Sequence, residues 1–545
     1  MSSDLVMDNR RHFPTLGLPF VPLALSKISG APLTRCLILL TTLLAALLTT
    51  VPFARAQQTE LTLDVGRYVI EGDNPLSAAD TEVVLAPFVG RGKALGDLEA
   101  ASEALEKAIR GRGYSFHRVI VPAQKPEGGV VKLEVLRYTV GKVVVSGNEH
   151  FSADNVRQSL PSLKEGEPPN AAALGRDLGT ANEHPSKRVA ATFKEGDTPD
   201  TLDVELRVRD VPPVTTFVGV NNTGTGSTGY YRVTLGHQRT NLFDRDHTAT
   251  VSYTTSPDYM NSLRQYGLFY QIPFYGYGGN LSLYYAKSDV NTGRIPQGGG
   301  FFDIAGGGEF YGARYTQSLA RLGPYTHALA VGIDQKGFTN GSKFGVIRVN
   351  PDVATRPLTL RYQGRVEQEW GQFGGYIDYT RNLRGGTDGG RDNFAAFGAD
   401  RTWSAWHYGL DVSAPAGDWL LSGRLRGQWT NQTLVPGEQF GITGVYTVRG
   451  FLEREFAGDR GWNVNLEARA PSLGENLVPV FFYDTAGARA LSTETSYTVA
   501  SMGVGLRWSW QQKLEIATDL AYVLNGTTGV TTGGARAHFS LFYRF

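Results

Sequence analysis

The chain has 545 residues, of which 19% are charged and 41% hydrophobic, with 66 glycines, 27 Phe, 25 Tyr and 8 Trp. That mixture excludes a disordered chain and a helical membrane protein; it suits many strands joined by turns, with aromatics available for membrane-interface girdles. Residues 1–56 hold five of the 53 basic groups and two of the 52 acidic ones, so the 48 basic and 50 acidic groups that remain give no basic face for nucleic acid.

Residues 36–51 (CLILLTTLLAALLTTV) carry no charge, follow Lys27 and Arg35, and precede Ala54-Arg55-Ala56. A positive flank, an apolar core and an A-x-A site predict a secretory signal peptide over 1–56, cut after Ala56. The rival reading is an uncleaved anchor, since the run approaches spanning length. Cys36 is the single cysteine, which excludes an internal disulfide and a Cys-based metal cluster. Arg35 directly before it, and the apolar run behind it, do not suit lipid attachment. After Ala56 no apolar stretch reaches the ~20 residues that a spanning helix needs.

Residues 57–211 read as two small mixed α/β units, 57–137 and 138–211. In the first, Leu98, Ala101, Leu105, Ala108 and Ile109 give Asp97–Arg112 the spacing of an amphipathic helix, with Gly113 as its stop. Ser115–Pro122 and Gly129–Val135 follow as strands. In the second, Lys142–Ser146 is a strand, Gly147-Asn148 a turn, Ser152–Leu160 a Ser-capped helix and Ala171–Ala181 another helix. Val189–Lys194 and Leu202–Arg209 pair as strands before the stiff break Val211-Pro212-Pro213.

Residues 212–545 alternate. In Trp462–Ala470 every even position is apolar and every odd one polar; Ala249, Val251 and Tyr253 alternate with Thr248, Thr250, Ser252 and Thr254, and Leu514, Ile516, Leu520, Tyr522 and Leu524 alternate with Glu515, Ala517, Asp519 and Ala521. Period two puts one set on each face of a strand. Segments of about ten residues match tilted strands crossing a bilayer, and about 21 residues per strand plus turn gives about sixteen strands. Lys287–Gly306, Lys336–Arg356 and Thr430–Gly461 read as long surface loops, and Pro273–Gly278 as a tight turn. The last strand carries Phe539, Leu541, Tyr543 and the terminal Phe545 on one face, and resembles the assembly signal of bacterial outer-membrane proteins. The fold class is therefore an all-β transmembrane barrel of about 16 antiparallel strands behind two small α/β domains.

Gly113-Tyr114, Val119-Ile120-Val121-Pro122-Ala123-Gln124 and Gly129–Val135 resemble the first polypeptide-transport-associated (POTRA) domain of two-partner secretion transporters. Val143–Asn148 resembles the opening of their second, and Gly219-Val220-Asn221-Asn222 with Ser227-Thr228-Gly229 their first barrel hairpin. The family is that of haemolysin and filamentous-haemagglutinin secretion/activation proteins, within the Omp85 superfamily. Val448-Arg449-Gly450-Phe451 resembles the V-R-G-[YF] tip of the family's loop six, which folds back into the lumen. A guanidinium inside a barrel needs a partner, and its fork suits a wall carboxylate. Phe482 and Asp484 fit the family's F-x-D-x-G wall motif, while the glycine comes one residue late, at Gly487.

The nine histidines show no metal-ligand spacing, and no G-x-S-x-G elbow or P-loop occurs. The resemblance implies a non-enzymatic, cofactor-free outer-membrane transporter, monomeric, with its POTRA domains in the periplasm. It would secrete a partner exoprotein (an adhesin, a cytolysin or a haem-binding protein), meet outer-membrane lipid and lipopolysaccharide, and use the barrel assembly machinery during biogenesis. Alternatives are an assembly insertase of the same superfamily, whose close relatives usually have three or more POTRA domains, and a passive porin, which needs none. Too few residues precede the first domain for a plug helix with a linker, which leaves loop six as the expected obstruction.

Overall fold

The computed structural model describes residues 62–545 apart from 227, 261–262, 290–291, 298–299, 306, 340–342, 345–346, 349–350 and 528–531. The segment read as a signal, with Cys36, Ala54 and Ala56, and Ser227 of the expected first hairpin lie outside the described residues. The described chain divides into two compact units, residues 62–109 with 118–136, and residues 110–117 with 137–545.

In the first unit the helix Leu95–Gly111 turns Leu98, Ala101, Leu105 and Ile109 inward, one stripe at helical spacing. Its start is closed reciprocally: Ala94 N donates to Asp97 Oδ2 and Asp97 N to Ala94 O. The helix covers Val119, Leu133 and Val135 of a three-stranded sheet in which Arg67–Gly72 runs parallel to Val130–Arg137. Helix Ala78–Leu85 and the strands Leu63–Val65, Arg67–Gly72 and Gly90–Lys93 were not legible: the helix buries only Thr81 and Leu85, and the strands are short.

The second unit opens with a domain of similar plan. Thr139–Ser146 runs parallel to Thr201–Asp210, which pairs antiparallel with Lys187–Glu195. Helices Ala153–Gln158 and Ala171–Ala181 start at Ser152 and Asn170, whose side chains accept from Asn155 N and Ala173 N. Gly147 holds φ +77°, and a Cβ there would lie 2.6 Å from Val208 O, so only glycine makes this turn. Val143, Phe151, Val156, Leu160, Leu174, Val189, Val204 and Leu206 form its core.

Sixteen antiparallel strands then close into a barrel, from Val214–Asn221 to Ala535–Arg544, the eighth being interrupted between Val353–Thr355 and Pro357–Gln368. Burial is inverted relative to a soluble sheet. Thr248, Thr250, Ser252 and Thr254 are buried, whereas Val251, Leu520 and Tyr522 are about half exposed on the lipid face. All three expected loops carry strands of their own: Thr292–Gln297 pairs with Gly300–Ala305, Lys343–Phe344 with Ile347–Arg348, and Phe440–Gly441 with Ala457–Gly458, while strand seven itself continues to Phe338.

The seam between the last and first strands is short, running from Ser540↔Asn221 to Arg544↔Phe217. Leu541 and Tyr543 pair there with Val220 and Val218; Phe539 pairs with Thr518 of the preceding strand. Phe545 N donates to Thr216 O, and its ring is mostly exposed. Asn222 extends the seam, its amide bonding Ala537 O and Phe539 N, each at 2.9 Å. Each such bond contributes about 0.5–1.5 kcal/mol net. Asn222→Ala is expected to lower the temperature at which the barrel loses its folded electrophoretic mobility by several degrees, and an unchanged transition would show the seam does not use it.

Candidate functional site

The connection between strand eleven (Trp419–Trp429) and strand twelve (Arg460–Arg469) folds as a hairpin, Phe440–Gly441 pairing with Ala457–Gly458. The hairpin is stiffened from within: Glu453 accepts from Val445 N, and Arg454 donates to Pro436 O and Gln439 O. At its tip Arg449 is 4% exposed, so its charge has left bulk water and needs compensation.

The barrel wall supplies it. Arg449 Nε and Nη2 bind Asp484 Oδ2 and Oδ1 at 2.7 and 2.9 Å, the two-pronged geometry that a guanidinium offers a carboxylate. Arg449 N donates to the same carboxylate at 3.2 Å. Nη1 reaches Glu467 at 2.9 Å and Asp519 at 3.6 Å, and the guanidinium carbon lies 3.5 Å from the centre of the Phe482 ring. Asn465 Nδ2 joins Asp484 Oδ1 to Thr447 O, tying wall to hairpin. Arg469 faces Glu467 and Arg507 faces Asp519, so three carboxylates meet three guanidiniums.

Gly450 adopts φ +96°, and a Cβ would come within 3.2 Å of Val523. Its N–H points at His538 Nε2 at 3.0 Å, which makes that nitrogen an acceptor and puts the ring proton on Nδ1. Val448 and Phe451 are buried with Ile442, Phe456, Ala486, Val499 and Val523. The tip thus touches strands twelve through sixteen.

The structure brings together Val448, Arg449, Gly450, Phe451, Phe482 and Asp484. It does not bring Gly487 to them: three residues after Asp484, it lies on the opposite face of the strand, where a Cβ would meet the Trp462 ring at 2.9 Å. Gly487 makes room for a lipid-facing tryptophan and is no part of the arginine pocket. Sequence reasoning missed Glu467, Asp519 and His538. All three sit at polar positions of alternating strands, but alternation alone does not say which of many lumenal groups meets the loop.

The base of the hairpin is held elsewhere. Leu434 and Val435 are buried with Phe310, Phe338 and Val353 of strands six to eight, and with Phe394 and Trp403 of the connection after strand nine. Glu438 takes Lys336 Nζ at 2.9 Å and the Thr355 hydroxyl at 2.6 Å. The base of loop six therefore packs against the segment around helix Arg391–Ala395. Among the described residues no helix is long and apolar enough to cross a membrane, and no cluster suits a metal ion.

A closed sixteen-strand barrel with a hairpin bound to its inner wall and small α/β domains before it defines an outer-membrane protein transporter. The family model described as haemolysin secretion/activation protein ShlB/FhaC/HecB matches residues 200–508, and a ShlB-type POTRA domain matches 63–137. The chain belongs to this haemolysin secretion/activation family. It is 23% identical to the outer membrane transporter CdiB of Escherichia coli over 73% of this chain and 67% of that one. It is 20% identical to the heme/hemopexin transporter protein HuxB of Haemophilus influenzae over 78% and 77% of the two chains. The solved structures of CdiB from Escherichia coli and Acinetobacter baumannii share its fold, with TM-scores of 0.72 and 0.65, 18% identity each, and 95% of this chain covered.

Removing the Arg449 guanidinium leaves the buried Asp484 with neutral partners only, a loss of about 3–5 kcal/mol. Arg449→Ala should expose the loop tip to externally added protease while the barrel keeps its folded mobility; Arg449→Lys, which cannot fork, should fall between. Glu438→Gln should raise the frequency of large conductance steps in planar bilayers, and traces identical to wild type would deny the base a holding role.

Proposed function

We propose that this outer-membrane transporter carries an unfolded partner exoprotein from its periplasmic domains through the barrel lumen, with folding outside supplying the drive. On this reading 1–56 is a removed signal, 57–137 and 138–211 are the two POTRA domains, and 212–545 is the pore. Transport, not catalysis, is the activity, and no nucleotide or cofactor takes part. The cargo is an adhesin, a cytolysin or a haem-binding protein; lipopolysaccharide and the assembly machinery are met during biogenesis.

The observation that carries the reading is the Arg449–Asp484 clamp on a hairpin inside the lumen, since a porin has no use for a removable strap. Recognition falls to the shallow groove of the second domain beside Leu163, Arg157 and Glu165, floored by the core residues Val143, Leu160 and Leu206. Docking in a groove fits this domain better than strand addition. Both sheet edges carry side-chain bonds: Glu165 and Arg157 occupy Val143 N and O, and Asn182 occupies Val189 N and O. A cargo strand would have to displace them.

Two variants test the two halves. Arg449→Ala should cut the amount of exported partner at least tenfold while barrel insertion is normal. Leu163→Glu should do the same by spoiling the groove. The partner is the large secreted β-helical protein expected from the neighbouring reading frame, and normal export by both variants would sink the mechanism.

A further inference from the structure

The second small domain meets the barrel through a buried ion pair that the clamp and groove do not involve. Lys187 opens the strand Lys187–Glu195, and Asp246 sits in the turn between Arg232–Leu242 and His247–Thr255. Both side chains are fully buried, with Nζ 2.6 Å from Oδ2. An ammonium has three protons to place. One goes to Asp246 and a second to Asn155 Oδ1 at 2.7 Å, and the charge lies 5.2 Å from the centre of the Phe151 ring. Asp246 is filled as fully: the Tyr275 hydroxyl donates to Oδ2 at 2.5 Å and Asn155 Nδ2 to Oδ1 at 2.9 Å.

The surroundings agree. His184 Nε2–H donates to Thr240 O at 2.6 Å, and its Nδ1 accepts from Ser186 N. Burial holds the His184 ring below the usual imidazole range, which keeps it in this neutral form. Gly276 N donates to Asp177, and the Ser318 hydroxyl to Glu183, so three successive periplasmic turns are engaged. The first turn is backbone-strained: Phe243, Asp244 and Asp246 all hold positive φ, between +53° and +61°. Such residues persist only where the surroundings over-determine them. Here Asn241 and Asn155 pin the turn from both sides.

Adhesion alone needs none of this. An apolar contact would hold the domain while leaving its rotation loose. A desolvated pair adds little net stability over an apolar isostere and accepts only one arrangement. We infer that Lys187 and Asp246 are positioning residues for export: their pair fixes the second POTRA domain in one pose on the barrel's periplasmic turns, so that cargo in the groove is presented to the lumen from one place. This rests on the groove reading above. The joint stays shut during transport, and the moving parts lie elsewhere.

The test uses the full-length protein with spin labels at Ala172→Cys on the domain and Asp418→Cys on a barrel turn. The native Cys36 falls in the segment read as removed. Wild type should give one narrow distance. Lys187→Met and Asp246→Asn should each broaden it and cut export at least fivefold, with the barrel's folded mobility unchanged. Lys187→Arg, which keeps the charge, should retain the narrow distance and most of the export. Broad distances with normal export would overturn the proposal, as would lost export at an unchanged distance. If both single variants fail to insert, the pair serves folding and the proposal falls. Leu163→Glu is the control: normal export by that variant refutes the groove while the distance measurement still judges the joint.

Discussion

Hydrocarbon offers no hydrogen bonds, so every peptide group that crosses the bilayer must be paired within the protein, and for strands only a closed ring achieves this. The remaining features of the barrel follow from that closure. With the backbone satisfied, side chains are free to sort by face: Val251, Leu520 and Tyr522 go to lipid, and Thr248, Thr250 and Asp484 turn inward. The interior becomes polar by default, which is the reverse of the apolar cores that hold the two small domains together. A segment entering that interior cannot rely on apolar burial alone. Loop six accordingly brings a guanidinium to the wall's carboxylates and tucks Val448 and Phe451 among the few small apolar residues there, Ala486 and Val499.

Two kinds of attachment hold the loop, and they differ in character. At the tip, a forked ion pair backed by a stacked ring specifies one register, as paired buried charges do when displaced partners would be left unmatched. At the base, an apolar cluster with a single ion pair at its margin resembles an ordinary small core. The first is sharply directional and the second forgiving. On the transport reading proposed above, a strap that left and returned would benefit from that combination, since the base would keep it near while the tip set its register.

Much of this was legible in the residues, for reasons that can be named. Helix Ala171–Ala181 combines an Asn170 cap with a helical stripe, so its bounds could be read directly. The barrel announced itself through alternation, because lipid outside and water inside impose opposite demands on neighbouring positions. Arg449, Phe482 and Asp484 stood out through their family motif. Helix Ala78–Leu85 did not, since it packs by one edge and lacks an apolar stripe. Glu467, Asp519 and His538 were visible only as members of a large polar set; their meeting at one point depends on strand stagger, which no local pattern encodes. Gly487 was misassigned although parity forbade it: an odd step from Asp484 reverses the face.

The balance of charge around the loop tip has an electrical side. Three carboxylates (Asp484, Glu467 and Asp519) meet Arg449, Arg469 and Arg507, so the closed state is locally neutral. Arg449 alone belongs to the loop. Were the tip to leave its pocket, the Arg449 charge would go with it, and the wall's Asp484, Glu467 and Asp519 against Arg469 and Arg507 would be left with an excess of one negative charge facing water. A passage opened in that way would differ from the closed one in sign as well as in width. It would draw cations and basic stretches of chain inward and hold acidic ones back, while pulling the departing guanidinium home once the passage is clear.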